Sequence, residues 1–129
     1  MLRGRQAIGK LILITGGAGL LAPFLAEAGR DFGQIMLTAR RDGGHPADLS
    51  HAGAVKELID TTQPNTVIHC AAMTDVDGCE RDPAAADRGN RLTSENLAAA
   101  LPADCQLVYI STDQVYPNVL GPHLEGTED

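Results

Sequence analysis

The sequence predicts an α/β fold in which a parallel sheet is covered by helices. Short apolar runs alternate along the 129-residue chain with longer segments of helical periodicity. Apolar residues make up 43% of the chain and aromatic residues only 3%, so the core must consist of Ala, Leu, Ile and Val. Such side chains suit strands that are buried on both faces of a sheet. We therefore expect the order β-α-β-α-β-α-β, and right-handed crossovers make such a sheet parallel.

Four strands and three helices are predicted from these patterns. The apolar runs place strands at residues 10–15, 34–38, 66–69 and 106–111, and helices at 19–28, 51–63 and 82–101 fill the intervals. Ser50 is expected to cap the second helix and Asp82 the third, in which Gly89 is the weak point. The loop that follows the second strand and the tail from Pro117 onward are predicted to be irregular.

Charge and cysteine content limit the classes of partner. The net charge of −7 argues against nucleic acid or an anionic membrane surface as a partner. Three cysteines without a Cys-x-x-Cys pair indicate neither a disulfide framework nor a metal site, and they fit a reducing cytoplasm. Residues 1–9 are interpreted as a leader whose apolar stretch is not long enough for a signal peptide. We expect a cytoplasmic protein with no membrane contact.

A glycine-rich loop lies between the first predicted strand and the first predicted helix. Gly16 and Gly19 allow a tight turn and a close approach of the backbone to a diphosphate, which the helix N-terminus would bind. This placement predicts a Rossmann-type, doubly wound sheet that is incomplete, because such folds usually have about six strands. The alternative is a simple turn in an α/β protein that binds no nucleotide.

Two arginines end the second predicted strand. A site that prefers NAD has an acidic residue about 20 positions after the glycines. Here Arg40 and Arg41 stand in that region, and their guanidinium groups are suited to the 2′-phosphate of NADP. Asp42 follows directly, so NAD is also open as a cofactor. The alternative interpretation of the two arginines is a solvated surface pair.

Four motifs together resemble those of extended short-chain dehydrogenases, and in particular the dTDP-4-dehydrorhamnose reductase family. The resemblance covers residues 10–129. Its most specific parts are the Ala-Ala-x-Thr-x-Val-Asp and Ser-Thr-Asp-x-Val-aromatic patterns. The family often has Asn at the position of His69. The motifs lie at residues 15–22, 48–50, 69–77 and 109–116.

The resemblance implies a role for individual residues. Thr112 would be the catalytic hydroxyl that contacts the substrate carbonyl, and Asp113 would contact the sugar of a nucleotide-linked substrate. Asp48 would accept a hydrogen bond from the adenine amine, although an acid at this place is also an ordinary helix cap. Asn90 would be a surface residue or would tie down the chain after the third predicted strand. The cofactor-binding residues would be Gly16, Gly19, Leu20, Leu21, Arg40, Arg41, Asp48, Leu49, Cys70, Ala71, Ala72 and Thr74.

The catalytic pair of the family is missing from these 129 residues. The family uses a Tyr-x-x-x-Lys pair as its acid, whereas Tyr109 and Tyr116 are here followed by Asp113 and Leu120 at that spacing. We therefore expect residues 10–129 to be a cofactor-binding domain that stops before the catalytic helix and has little activity alone. Two alternatives stay open. One is a non-catalytic NADP-binding module, like the regulatory subunit of methionine adenosyltransferase, and the other is a fragment of a sugar-nucleotide epimerase or dehydratase. The incomplete sheet edge also predicts self-association as a homo-oligomer.

Overall fold

The computed structural model describes residues 9–116 and 121–124, which contain one five-stranded parallel sheet. The strand order is β3-β2-β1-β4-β5, and every neighbouring pair is parallel. The strands are β1 (Leu11–Thr15), β2 (Gln34–Ala39), β3 (His45–Pro46), β4 (Thr66–His69) and β5 (Gln106–Tyr109). The α-helices are α1 (Ala22–Gly29), α2 (Ala52–Thr62), α3 (Val76–Arg81), α4 (Pro83–Asp87) and α5 (Thr93–Ala100). The fold class predicted from the sequence is confirmed.

Helices cover both faces of this sheet. Successive strand residues point to opposite faces, so Leu13 and Ile12 of β1 belong to different layers. Leu13 is completely buried in a core cluster with residues of α2, β4 and α5. On the other face, Gly29 at the end of α1 lies so close to Ile12 and Ile35 that a Cβ there would stand 2.7 Å from Cδ1 of Ile35. The arrangement is the doubly wound architecture that the alternating pattern predicts.

The prediction of four strands was wrong by one. The loop predicted for residues 40–46 contains β3, a two-residue strand that pairs with Thr38 and Ala39 of β2. The hydroxyl of Thr38 also donates a hydrogen bond of 2.8 Å to the carbonyl oxygen of His45. A strand of two exposed residues, one of them Pro46, has no apolar periodicity, so no sequence pattern could reveal it.

The starts of the first two helices also differ from the prediction. The first helix begins at Ala22 and not at Gly19, because the amide of Gly19 donates to the carbonyl of Gly16 and closes a turn. Ser50 does not cap α2, whose N-cap residue is His51. The hydroxyl of Ser50 instead donates to the carboxylate of Asp48, at 2.7 Å.

The third predicted helix is interrupted, and an unpredicted short helix precedes it. Asp82 caps α4 as expected, since its carboxylate accepts from the amide of Ala85 at 2.9 Å. The chain then widens into a π-helix (Arg88–Leu92) before α5 begins, and this segment contains Gly89. The helix α3 was missed because its six residues include Gly78 and show little apolar periodicity.

Other regions of the prediction fall partly outside the described residues. Of the leader, only Gly9 is described, and it is exposed. Of the tail, residues 121–124 are described and have no regular secondary structure. Within the described ranges, no helix is long and apolar enough to span a bilayer, and no group of three His, Cys, Asp or Glu side chains could hold a metal ion.

Candidate functional site

A groove lies where the glycine loop, the end of β2 and the segment after β4 meet. Strand β1 pairs with β2 on one side and with β4 on the other. The chain thus leaves β1 at the point where the strand order reverses, which is where open α/β sheets bind ligands. The groove has a volume of about 690 Å³, which is of the size that small-molecule and cofactor sites require. Nine of the sequence-predicted residues line it, namely Gly16, Gly19, Arg40, Arg41, Asp48, Leu49, Cys70, Ala71 and Ala72.

The first glycine of the loop is required by both its conformation and its surroundings. Gly16 has a φ of +73°, which L side chains rarely adopt. A Cβ at this position would stand 2.9 Å from the backbone nitrogen of Ala71. The glycine thus lets the loop after β1 lie directly against the segment after β4, and both segments line the groove.

Three backbone amides in the loop that leads into α1 are left without a hydrogen bond to the described residues. The amide of Gly17 donates to the carbonyl of Thr38, and the amide of Gly19 is used within the loop. In contrast, the amides of Ala18, Leu20 and Leu21 donate to no other described residue. Unpaired amides at a helix N-terminus favour anions, because the helix dipole adds positive potential there. The side chains of Leu20 and Leu21 do not line the groove, so any role of these residues rests on their amides.

A buried threonine holds the segment after β4 in place. The hydroxyl oxygen of Thr15 accepts hydrogen bonds of 3.1 Å from the amides of both Cys70 and Ala71. The same oxygen lies 2.7 Å from Nδ1 of His69, which is itself 2% exposed. On the other side of the imidazole ring, Nε2 lies 3.2 Å from the hydroxyl of Ser94 in α5. Burial lowers the pKa of His69, so the ring is neutral near pH 7.

The π-helix ties the next residues of this segment to the groove wall. The side-chain oxygen of Asn90 accepts from the amide of Met73 at 2.7 Å, and its side-chain nitrogen donates to the carbonyl of Met73 at 3.2 Å. Of the two alternatives for Asn90, a surface residue or a tie to the chain after β4, the structure shows the second. Asn96 of α5 has a similar role on the opposite wall, since its side-chain nitrogen donates to the carbonyl of Leu49 at 2.9 Å.

The acidic residue next to the groove stays ionised. One carboxylate oxygen of Asp48 accepts from the hydroxyl of Ser50 and, at 3.0 Å, from its amide. These hydrogen bonds are the main reason that the pKa of Asp48 is lowered, and the charges of His51 and Arg40 add to the effect. A carboxylate in this state can accept a hydrogen bond from a ligand amine but cannot donate one.

Cys70 behaves differently from a reactive cysteine. Burial raises the pKa of its thiol, so the thiolate is disfavoured and the residue acts as a small apolar component of the groove wall.

Besides Leu20 and Leu21, three residues predicted for the site do not line the groove. Thr74 is exposed and lies one position beyond Met73. Thr112 and Asp113 follow β5 and are exposed. The hydroxyl of Thr112 caps a 3-10 turn by accepting from the amide of Gln114, at 3.2 Å. The structure thus brings together nine of the twelve residues predicted for the cofactor but does not join them to those predicted for the substrate.

Some residues of the groove were missed by the sequence analysis. The wall formed by α4, the π-helix and α5 contributes Ala85, Arg88, Gly89 and Thr93. These residues belong to no recognised motif, and only the interruption of the helix brings them to the groove. Gly89 was noted as a weak point of a helix, but its close approach to Met73 could not be predicted from its position alone.

A parallel sheet of this strand order, with a groove between a glycine loop and the ends of β2 and β4, defines a Rossmann-type α/β domain. Residues 10–122 match the family model "RmlD substrate binding domain". The chain belongs to this family, which confirms the resemblance drawn from its motifs.

Individual relatives are longer than this chain. The chain is 34% identical over 122 residues to methionine adenosyltransferase 2 subunit beta of Xenopus tropicalis, covering 91% of this chain and 36% of the relative. It superposes with a TM-score of 0.82 on a dTDP-4-dehydrorhamnose reductase of Clostridium acetobutylicum, at 33% identity, covering 92% of this chain and 42% of the other. It superposes with a TM-score of 0.76 on the dTDP-4-dehydrorhamnose reductase of Bacillus anthracis, which was solved in complex with NADP. The identity is 30%, and the match covers 86% of this chain and 39% of the other. The chain thus spans about two fifths of these relatives or less.

Proposed function

We propose that this chain binds NADP in the groove and forms the cofactor-binding portion of a reductase for a nucleotide-linked 4-keto sugar. The proposal rests on one observation: unpaired amides at the start of α1 and two arginines at the end of β2 lie at the same groove. A dinucleotide phosphate needs an anion site at both of these places. The NADP complex of the Bacillus anthracis relative supports the same assignment.

The residues present fit the adenosine and diphosphate portions of this cofactor. The amides of Ala18, Leu20 and Leu21 would bind the diphosphate, and Arg40 and Arg41 would bind the 2′-phosphate. Asp48 would accept from the adenine amine. Bound NADPH would supply the hydride for reduction of a carbonyl group.

The described residues that line the groove are suited to cofactor binding but include no tyrosine or lysine that could form the acid pair. Among the predicted substrate residues, the hydroxyl of Thr112 can polarise a carbonyl oxygen but cannot deliver a proton efficiently. A positioned acid is worth about 10²–10⁴-fold in rate, and the 129 residues contain no Tyr-x-x-x-Lys. We therefore expect the 129-residue chain to show little or no reductase activity with a dTDP-4-keto sugar. Turnover near that of a full-length relative would refute this expectation.

Cofactor preference is tested by titration of the chain with NADPH and with NADH. We expect NADPH to bind at least about tenfold more tightly, which corresponds to about 1.4 kcal/mol. An Arg40→Gln/Arg41→Gln double variant should lose this preference, while its affinity for NADH stays within about twofold, because NADH has no 2′-phosphate. The control is Arg30→Gln, which removes an arginine paired with Glu27 outside the groove. Tighter binding of NADH to the unchanged chain would contradict the assignment.

A second candidate function is a non-catalytic NADP-binding subunit of another enzyme. The identity of 34% to a methionine adenosyltransferase subunit, over 91% of this chain, favours it. The measurement is the rate of methionine adenosyltransferase from the same organism with and without this chain. A rate change that requires NADP would support the regulatory subunit, and an unchanged rate would favour the reductase.

A further inference from the structure

The six arginines of the described residues fall into two groups. Arg30, Arg81 and Arg91 each form an ion pair with a carboxylate, and none of the three lines the groove. The other three form no ion pair with any described residue, and all of them line the groove, namely Arg40, Arg41 and Arg88. In a chain with a net charge of −7, unpaired guanidinium groups collected at one groove indicate an anionic ligand.

Arg88 forms no ion pair with the described residues because of its position on the helix, although, besides the hydrogen bond from Arg91, its charge helps to lower the pKa of Asp87. Side chains three or four residues apart meet on a helix, and the residues at these distances from Arg88 are Ala84, Ala85, Arg91 and Leu92. The adjacent carboxylate, Asp87, is already bound on both oxygens by Arg91, at 2.6 and 2.8 Å. Arg91 also binds Glu95 at 2.7 Å. Asp87 and Glu95 are therefore paired with Arg91 on the side of the helix away from the groove.

The π-helix fixes which way Arg88 faces. Asn90 binds both backbone groups of Met73, which lines the groove. Gly89 also lies against this residue, since a Cβ there would be in van der Waals contact with Cβ of Met73, at 3.4 Å. Asn90 faces the groove wall and Arg91 faces two carboxylates outside the groove, and in this orientation of the helix Arg88 lines the groove.

We propose that Arg88 is a third phosphate-binding arginine of this groove, contributed by a different wall from the pair at the end of β2. This inference rests on the proposed function, because it takes the ligand to be a dinucleotide. The guanidinium can donate to phosphate oxygens in a bidentate manner. The phosphate that Arg88 binds is either the 2′-phosphate or the diphosphate. Binding of NADPH and of NADH distinguishes these two phosphates, since only NADPH carries the 2′-phosphate.

The test compares Arg88→Gln with Arg30→Gln, which removes the same charge from an arginine that pairs with Glu27 outside the groove. Affinity is measured by titration of the full 129-residue chain with NADPH and with NADH at low and high ionic strength. We expect Arg88→Gln to weaken NADPH binding about five- to tenfold, with a smaller effect at high salt because screening weakens the contact. Arg30→Gln should bind within about twofold of the unchanged chain. Arg88→Lys, which keeps the charge but not the planar fork, should fall between them.

Each outcome decides the proposal. A loss for NADPH alone assigns Arg88 to the 2′-phosphate, and an equal loss for both cofactors assigns it to the diphosphate. Equal effects of Arg88→Gln and Arg30→Gln overturn the proposal, since the cause would then be net charge. Unchanged affinity in Arg88→Gln also overturns it and leaves the proposed function intact. If the unchanged chain binds neither cofactor, both proposals fail together.

Discussion

The hydroxyl oxygen of Thr15 lies 2.7 Å from Nδ1 of His69, and this contact joins the carboxyl ends of β1 and β4. Because the same oxygen accepts from two amides, its proton is directed at Nδ1. The ring must then carry its own proton on Nε2, which faces the hydroxyl of Ser94. That hydroxyl donates in turn to the carbonyl of Asn90 at 2.7 Å. The hydrogen bonds form one directed chain in which Thr15 donates to His69, His69 to Ser94 and Ser94 to the π-helix, and they fix a neutral histidine.

Replacing this histidine should destabilise the domain. His69→Phe keeps a planar ring but leaves the buried hydroxyl of Thr15 without its acceptor, which should cost about 1–3 kcal/mol of unfolding free energy. Urea unfolding followed by circular dichroism measures the change. The control is His45→Phe, an exposed position in β3 whose substitution should change stability by no more than about 0.5 kcal/mol. Equal stability of the two variants would show that the chain of hydrogen bonds contributes nothing.

The same histidine predicts a pH dependence of stability. Its pKa in the folded chain is lowered by burial, whereas the unfolded chain has the ordinary value of about 6.5. The unfolded state therefore binds more protons below this pH, and stability is lost as the pH falls through 6.5 and toward the folded pKa. Above about pH 7 the contribution is fully present. As the pH is lowered from about 8 to about 5, the urea concentration at the unfolding midpoint should fall in the natural chain but change less in His69→Asn. A parallel decline in both would assign the effect to other groups.

We expect alanine substitutions in the glycine loop and in α2 to have opposite effects on stability. Gly16→Ala would place a Cβ 2.9 Å from the nitrogen of Ala71 at a φ of +73°, so it should lower both stability and NADPH affinity. Gly53→Ala in α2 has nothing within 4 Å of the new Cβ and should stabilise the domain by about 0.5–1 kcal/mol. Thermal unfolding and NADPH titration of both variants provide the comparison. Normal cofactor binding by Gly16→Ala would contradict the role given to this glycine.

We expect replacement of Asn90 to lower cofactor affinity as well as the stability of the domain. Asn90→Ala leaves the amide and carbonyl of Met73 unpaired and should cost about 1–3 kcal/mol. Because Met73 lines the groove, NADPH affinity should also fall. Thr62→Ala is a suitable control, since it removes a hydrogen bond to Leu58 at the far end of α2. If Asn90→Ala loses stability but binds NADPH normally, the residue holds the fold and not the site.

The sequence predicted the sheet and the glycine loop because both depend on local patterns. Apolar runs such as residues 11–15 specify buried strands, and the glycines at 16 and 19 specify the turn that follows. The two-residue strand β3 could not be predicted, since it exists only through its pairing with β2. The contact of Thr15 with His69 was equally hidden, because it depends on the register between two strands that are more than 50 residues apart along the chain.

Arg88 shows the same limit in the site itself. The arginines at the end of β2 follow a strand and were predicted from their distance to the glycines. Arg88 lies in a helix, and its place in the groove follows from the π-helix and from the pairing of its neighbour Arg91. Neither feature has a sequence signature, because both arise when the helix packs against the segment after β4.

The central claim is that backbone amides at the start of α1 bind the diphosphate of a dinucleotide. The most direct measurement is a titration of the ¹⁵N-labelled chain with NADPH, followed through the amide resonances by NMR. We expect the resonances of Ala18, Leu20 and Leu21 to shift and saturate together with those of Arg40 and Arg41. Saturable binding of NADPH that leaves the Ala18, Leu20 and Leu21 amides unshifted would contradict the account.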